Sequence, residues 1–279
     1  TPYKTAIVAC DKALTYKEVN EEANRIAHSL IEKGVGVGDI VAFALPRRSY
    51  LIAAMFGILK SGAAYLPIDP DYPQDRIEYM LDDSKAKLYI TEKDIDSLLK
   101  NDNTDNPNVA MSSDSICYCI YTSGSTGKPK GALLIHANVA NYVNNNNVMH
   151  RIIEEDFKNI VSVTTVGFDI FVTESLLPLV NGMKIILANE EQAKLQSKLN
   201  ALINKNPADV IQTTPTKLKS LIADKQQTNF FKKFKVIILG GVALEDSLVE
   251  ELREITDAQI FDIYGPTETT VWSTYAQIK

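Results

Sequence analysis

Four short stretches of this 279-residue chain hold the residues whose chemistry stands out. The first is Tyr121 to Gly131, YTSGSTGKPKG. It offers hydroxyls at Thr122, Ser123, Ser125 and Thr126, glycines at Gly124 and Gly127, and cations at Lys128 and Lys130. Backbone N–H groups, hydroxyls and cations on one exposed turn suit a polyanion such as a nucleoside triphosphate. A flexible surface loop has the same composition, so the stretch alone leaves both readings open. The second is GFDIF, with Asp169 directly after Phe168, and the third is GGVAL, beginning at Gly240. The fourth is DIYGPTETT, which brings Asp262, Tyr264, Thr267 and Glu268 together. A hydroxyl beside a carboxylate can hold phosphate and Mg²⁺ together, because Mg²⁺ typically takes one or two carboxylates plus phosphate oxygens. Each of the last three is weak by itself: an Asp after Phe is commonly a cap or turn residue, and GGVAL commonly a tight turn.

Composition narrows what such residues could serve. Hydrophobic content of 45% with 23% charged residues is that of a globular chain, long enough for one large or two small domains. A net charge of −6 and a pI near 5.2 argue against nucleic acid or an anionic membrane surface as partner, so any positive charge meeting a polyanion must be local. No apolar run is long enough for a membrane span, and no signal peptide is expected at the N-terminus. Cys10, Cys117 and Cys119 form no CxxC pair and only three histidines are present, so neither a disulfide framework nor a zinc site is expected. A reducing, cytoplasmic setting fits best.

The elements that must position these residues alternate between helix and apolar strand. LTYKEVNEEANRIAHSLIEKG carries a capping box at Thr15 and Glu18, an apolar stripe at Val19, Ala23, Ile26, Ala27 and Leu30, and a stop at Gly34. His28 falls on the other face beside Glu21 and Arg25 and reads as a solvated histidine. GVGVGD follows a helix and leads into a strand, so it is an αβ connection and not a dinucleotide fingerprint. Asn101 to Ser115 is polar and reads as a linker, placing a boundary near residue 110. Beyond it, NIVSVTT, MKIILA, DVIQTT, KVIILGG and QIFDIYG read as strands; EEQAKLQSKLNALINK, the stretch after Pro215 and LEDSLVEELREI read as helices, and Ala137 to Asn147 as a helix that frays into a surface loop at NNNN. Near-continuous apolar strands separated by helices predict parallel sheets covered on both faces. The expectation is an α/β fold of two doubly wound lobes, 1–110 and 111–279, with the four stretches at strand C-terminal ends.

The order YTSGSTGKPKG, FDIF, GGVAL, YGPTE resembles that of the adenylate-forming enzymes, and most closely the adenylation domains of non-ribosomal peptide synthetases. LTYKEVN and LKSGAAYLPIDPDYP are similar to two further motifs of that family, so the resemblance runs from Leu14 to Trp272. The glycine-rich motif is not a Walker A loop, since Pro129 follows Lys128 where Ser or Thr is needed. The resemblance implies that an amino-acid carboxylate attacks the α-phosphate of Mg·ATP, giving aminoacyl-adenylate and pyrophosphate. The phosphopantetheine thiol of a peptidyl carrier protein would then take the acyl group. Thr122 to Lys130 would cover the β- and γ-phosphates, Thr267 would contact the α-phosphate and Glu268 would hold Mg²⁺. Tyr264 would stack on adenine, Gly241 with its neighbours would pass along the base, and Gly265 would belong to the same nucleotide site. Asp262 stands where peptide synthetases usually have Asn; both accept a hydrogen bond from the adenine amino group, so ATP remains the expected nucleotide.

The resemblance also implies a specificity. Asp169 would pair with the substrate ammonium, and a buried carboxylate needs such a cation. The substrate-lining positions fall on Ile170, Thr173, Gln212, Ile238, Gly240, Ile263, Val271 and Trp272. Trp272 leaves little space beyond the α-carbon, a pattern similar to that of glycine-activating domains, with alanine second. The family continues with a barrel-like subdomain and a small domain bearing a catalytic lysine; both are expected to be absent here, and this stretch alone is expected to adenylate poorly. Neighbouring synthetase domains are the expected partners. A stand-alone carrier-protein ligase, such as one charging D-alanine, and a non-catalytic nucleotide-binding module are the alternatives.

Overall fold

The computed structural model describes residues 1–123, 128–144, 149, 152 and 157–279. Two compact units emerge: residues 1–5, 11–140 and 165–169, and residues 6–10, 141–164 and 170–279. Thirteen strands are present among the described residues. They are β1 (Thr5–Val8), β2 (Ala13–Thr15), β3 (Ile40–Ala44), β4 (Ala64–Pro67), β5 (Leu88–Thr91), β6 (Ile116–Thr122), β7 (Lys130–Ile135), β8 (Asn159–Ser162), β9 (Lys184–Leu187), β10 (Val210–Thr213), β11 (Val236–Gly240), β12 (Gln259–Tyr264) and β13 (Thr274–Ile278).

The first unit holds a five-stranded sheet, β5-β3-β4-β6-β7, parallel except for β7, which runs antiparallel to β6. β4 is buried at every residue, as a parallel strand covered on both faces must be. The helix Tyr16–Glu32 starts where its capping box predicts: Glu18 N donates to Thr15 Oγ1 at 3.2 Å, and Thr15 N donates to Glu18 Oε2 at 2.7 Å. Its stripe of Val19, Ala23, Ile26, Ala27 and Leu30 is buried. It lies against the helix Tyr50–Lys60 at Gly57, where a Cβ would come within 2.6 Å of Ile26 Cγ2.

In the second unit, β13-β12-β11-β10-β8-β9-β1 lie side by side, all parallel except β13. Chain order reverses direction across the sheet at β8, since β9 lies on one side of it and β10 on the other. Crevices outside strand C-terminal ends at such a point are where open α/β sheets bind ligands. One face packs Val161, Ile186, Ile211, Ile237 and Leu239 against helical residues such as Leu199, Ile203 and Leu252, and against the Phe230, Phe231 and Phe234 cluster.

Four local expectations need correction. The division between units falls after Ala140 and not near residue 110, because β6 and β7 complete the sheet that β3, β4 and β5 begin. EEQAKLQSKLNALINK is two helices, Glu190–Lys194 and Gln196–Lys205, with Leu195 extended between them at φ −106°, ψ 123°. In one continuous helix Ala193 and Leu199, six positions apart, would face different sides; the break turns both inward. Residues 101–106 are irregular but fastened. Asn24 Nδ2 donates to Thr104 O and Arg25 Nη1 to Asn101 O, each at 2.6 Å. His28 is therefore no freely solvated histidine: its Nε2 lies 2.9 Å from Asp105 O. The tail of Ala137 to Asn147 enters residues outside those described, the helix itself being His136–Val143.

Candidate active site

In the first unit, the phosphate-type stretch is the connection of the β6–β7 hairpin, with Thr122 opposite Lys130 in register. Gly124, Ser125, Thr126 and Gly127 lie outside the described residues. Around them Ser123, Lys128 and Lys130 are exposed. The base is anchored to the helix Gln74–Ser84: Tyr121 Oη donates to Asp83 Oδ2 at 2.7 Å, and Tyr79 Oη to Pro129 O at 3.1 Å. Burial, reinforced by Asp83, holds the Tyr121 phenol far above its ordinary titration range, so it is a fixed donor. Lys128 Nζ sits 5.8 Å from the centre of the Tyr79 ring, the range of a cation–π contact. The hairpin thus rests on a rigid base while its cations face water. β7 is exposed at Lys130, Gly131 and Leu133, whereas β6 is buried from Cys117 to Tyr121.

The Asp169 segment belongs to the same unit. Thr165 Oγ1 donates to Asp69 Oδ2 at 2.9 Å, and Gly167 passes where a Cβ would lie 3.1 Å from Tyr72 Oη. Asp169 is 6% exposed, and its charge adds to the burial that pushes the Tyr65 and Tyr118 phenols well up. Those rings, tilted against each other with centroids 5.5 Å apart, carry no sequence signal beyond their place in apolar strands.

In the second unit, the remaining candidates lie on or just beyond β10, β11 and β12, except Ile170 and Thr173, which belong to the short helix Phe171–Glu174 and its start. Register sets Gln212 opposite Ile238, and Gly240 opposite Ile263. Trp272 Nε1 donates to Gln212 Oε1 at 2.9 Å, and Gln212 Nε2 donates to Ile170 O at 2.9 Å. Three of the positions expected to line the substrate are therefore joined by one buried amide. Gly240 is required by the indole: a Cβ there would lie 2.6 Å from both Trp272 Cη2 and Ile263 O. Thr173 is fully buried, with its hydroxyl 2.6 Å from Tyr142 Oη. Val271 is buried, while Gly241 turns the chain at φ 89° beyond β11.

The loop after β12 carries the polar chemistry. Asp262 is half-buried, and burial raises its carboxyl above the usual range, partly offset by the Ile263 N–H. Tyr264 is 69% exposed, an open aromatic face. Thr267 and Glu268 lie on a single 3₁₀ turn, Thr267–Thr269, with Glu268 exposed. No cluster of three or more metal-ligating side chains occurs among the described residues. A lone accessible carboxylate beside a hydroxyl fits a cation shared with phosphate oxygens, which needs only one or two protein carboxylates.

Sequence reasoning missed one residue that holds this arrangement together. Glu174, fully buried, accepts from Ser162 Oγ (2.9 Å), Val163 N (2.8 Å), Thr164 N (2.9 Å) and Thr164 Oγ1 (2.5 Å). It ties the short helix Phe171–Glu174 to the end of β8. The signal was available: a carboxylate inside the apolar run FVTESLLPLV has to be satisfied internally.

Comparison with known proteins shows where this two-sheet α/β architecture recurs. Residues 1–279 match the AMP-binding enzyme family. The chain belongs to that family. It is 38% identical to a dimodular nonribosomal peptide synthase of Bacillus subtilis (strain 168), an alignment covering 100% of this chain and 12% of that protein. It is 37% identical to bacitracin synthase 2 of Bacillus licheniformis, covering 100% of this chain and 11% of the synthase. The chain thus spans about an eighth of the first of these relatives. Among solved structures, a four-domain nonribosomal peptide synthetase bound to AMP and glycine superimposes with a TM-score of 0.86 at 28% identity, over 99% of this chain and 21% of that one. The match confirms the two-sheet α/β fold of the adenylate-forming N-terminal domain. No helix among the described residues is long and apolar enough to cross a membrane.

Proposed function

We propose that this chain is the amino-acid-activating core of a peptide synthetase, using ATP to form an aminoacyl-adenylate from a small amino acid, glycine first. Family membership and full-length similarity to peptide synthetases support the reaction class. The observation that supports a small substrate is the Trp272 indole, held by Gln212 and packed so closely on Gly240 that no Cβ fits there, among the positions expected to line the substrate. The solved relative holding AMP and glycine is consistent with this.

In this reading Lys128 and Lys130 offset the negative charge of the departing pyrophosphate, and Thr122 and Ser123 donate to its oxygens. Thr267 donates to the α-phosphate, Glu268 ligates Mg²⁺, Tyr264 stacks on adenine and Asp262 accepts from its amino group. Mg²⁺, when bound, neutralises phosphate charge. Asp169 receives the ammonium and orients the carboxylate for in-line attack. A carrier-protein thiol then accepts the acyl group, which makes a carrier protein and neighbouring synthetase domains the partners, and a cytoplasmic setting supplies the ATP.

Calorimetric titration with non-hydrolysable aminoacyl-adenylate analogues tests this. The glycyl analogue should bind at least about tenfold more tightly than the leucyl one. Equal or tighter binding of the leucyl or phenylalanyl analogue overturns the substrate, and binding of none overturns amino-acid activation by this chain.

A further inference from the structure

Trp272 is presented by an unusual piece of backbone. Thr270 (φ 71°, ψ 79°) and Val271 (φ 65°) are consecutive β-branched residues at positive φ. Such residues rarely adopt that region, and strain of this kind persists only where the surroundings over-determine it. Trp272 N donates to Thr270 O at 2.9 Å, closing a three-residue turn centred on Val271. Thr270 N donates to Thr267 O at 3.1 Å, Ser273 N to Tyr264 O at 2.9 Å, and the Thr269 and Ser273 hydroxyls meet at 2.7 Å. The Val271 side chain is fully buried, and a Cβ on Gly265 would lie 2.3 Å from Val271 O. From the other side, the Gln212 amide grips the indole N–H and is itself moored to Ile170 O.

We propose that Gln212 and the strained turn at Thr270–Val271 are positioning residues that lock the Trp272 indole into a rigid wall. Building on the amino-acid activation proposed above, selectivity for a small substrate then rests on the lock as well as on the indole's bulk. An indole free to swing would admit larger side chains at small cost. One tethered at its nitrogen and driven inward by its backbone cannot yield without breaking a buried hydrogen bond.

Trp272 is the only tryptophan of the chain, so its fluorescence reports on the wall alone. Acrylamide quenching and anisotropy decay are compared in the unchanged chain, Gln212→Met and Val271→Gly, with circular dichroism verifying the fold. Methionine matches glutamine in volume without the hydrogen bonds, and glycine tolerates positive φ without strain. Quenching should rise severalfold in both, while Val271→Gly changes the melting temperature little because relief of strain offsets lost burial. Should Gln212→Met fail to fold, Val271→Gly carries the same test. In parallel, the preference for glycyl over leucyl adenylate analogue should fall by about tenfold in the loosened variants. Unchanged quenching in a folded variant overturns the lock, and looser quenching with intact selectivity overturns its role in selectivity. If no analogue binds even the unchanged chain, the adenylation reading fails and the selectivity role with it, while quenching still decides the lock.

Discussion

Two parts of the molecule assigned to the same reaction are built in opposite ways. The residues assigned to phosphate, metal and adenine (Lys128, Lys130, Tyr264 and Glu268) are exposed on connections beyond strand ends. Those assigned to the amino-acid side chain (Ile170, Thr173, Gln212, Gly240, Val271 and Trp272) are buried, and Ile170, Gln212, Gly240 and Trp272 are bonded or packed to one another. The contrast follows from the ligands. A triphosphate brings its own charge and can organise mobile cations around itself, whereas excluding a methylene requires a wall that stands before the substrate arrives.

That contrast can be broken by mutation, and the largest effect should come from beneath the buried half. Glu174→Ala leaves two N–H groups and two hydroxyls without their acceptor, and should cost about 3–5 kcal/mol in urea denaturation. A cost near zero would mean the carboxylate is not what joins β8 to the helix after it. Next, Gly240→Ala sets a methyl against Trp272 and Ile263 O, and should cost about 1–3 kcal/mol while shifting tryptophan emission. On the exposed half, Lys130→Ala should leave stability within about 0.5 kcal/mol. Its ATP affinity, read by calorimetry, should nonetheless fall about tenfold, the loss of one charge-assisted contact. A stability loss without an affinity loss there would erase the distinction between the halves.

The smallest effect concerns Asp262, which stands between them. Its folded carboxyl titrates above its unfolded value because burial disfavours the charge. The sign follows: the protonated form is the one the fold favours, so the group's contribution is lost as pH rises through the folded value. Asp262→Asn should therefore be indistinguishable in acid and slightly more stable at neutral pH, by up to about 0.5 kcal/mol since the group keeps solvent contact. Greater stability of the aspartate form at neutral pH would contradict this.

The chain announced its elements more clearly than their partnerships. Apolar runs and caps located the strands and the helix after Thr15 because they are local properties, and the order of the motifs placed their residues at strand C-terminal ends. The short strand β13 escaped notice since TYAQI alternates weakly and forms only by pairing with β12. Polarity sets in near residue 101, yet β6 and β7 complete a sheet begun far earlier in the chain, a long-range fact that polarity does not carry. In the site, residue types were legible and their couplings were not. Nothing local says that Gln212 and Trp272, 60 positions apart, share a hydrogen bond.

The fastening of residues 101–106 has a consequence for how this chain meets proteases. Lys60 Nζ donates to Asn20 and Asn24 Oδ1, each at 2.7 Å, and to Asn106 Oδ1 at 2.6 Å, so one ammonium knots two helices and the irregular stretch together. Cleavage demands that a segment peel away and extend into the protease cleft. A run of Asn, Asp and Thr that looks like an easy target is thus shielded by three amide oxygens on one lysine, and Lys60→Met should expose it to nicking long before the sheet behind it loosens.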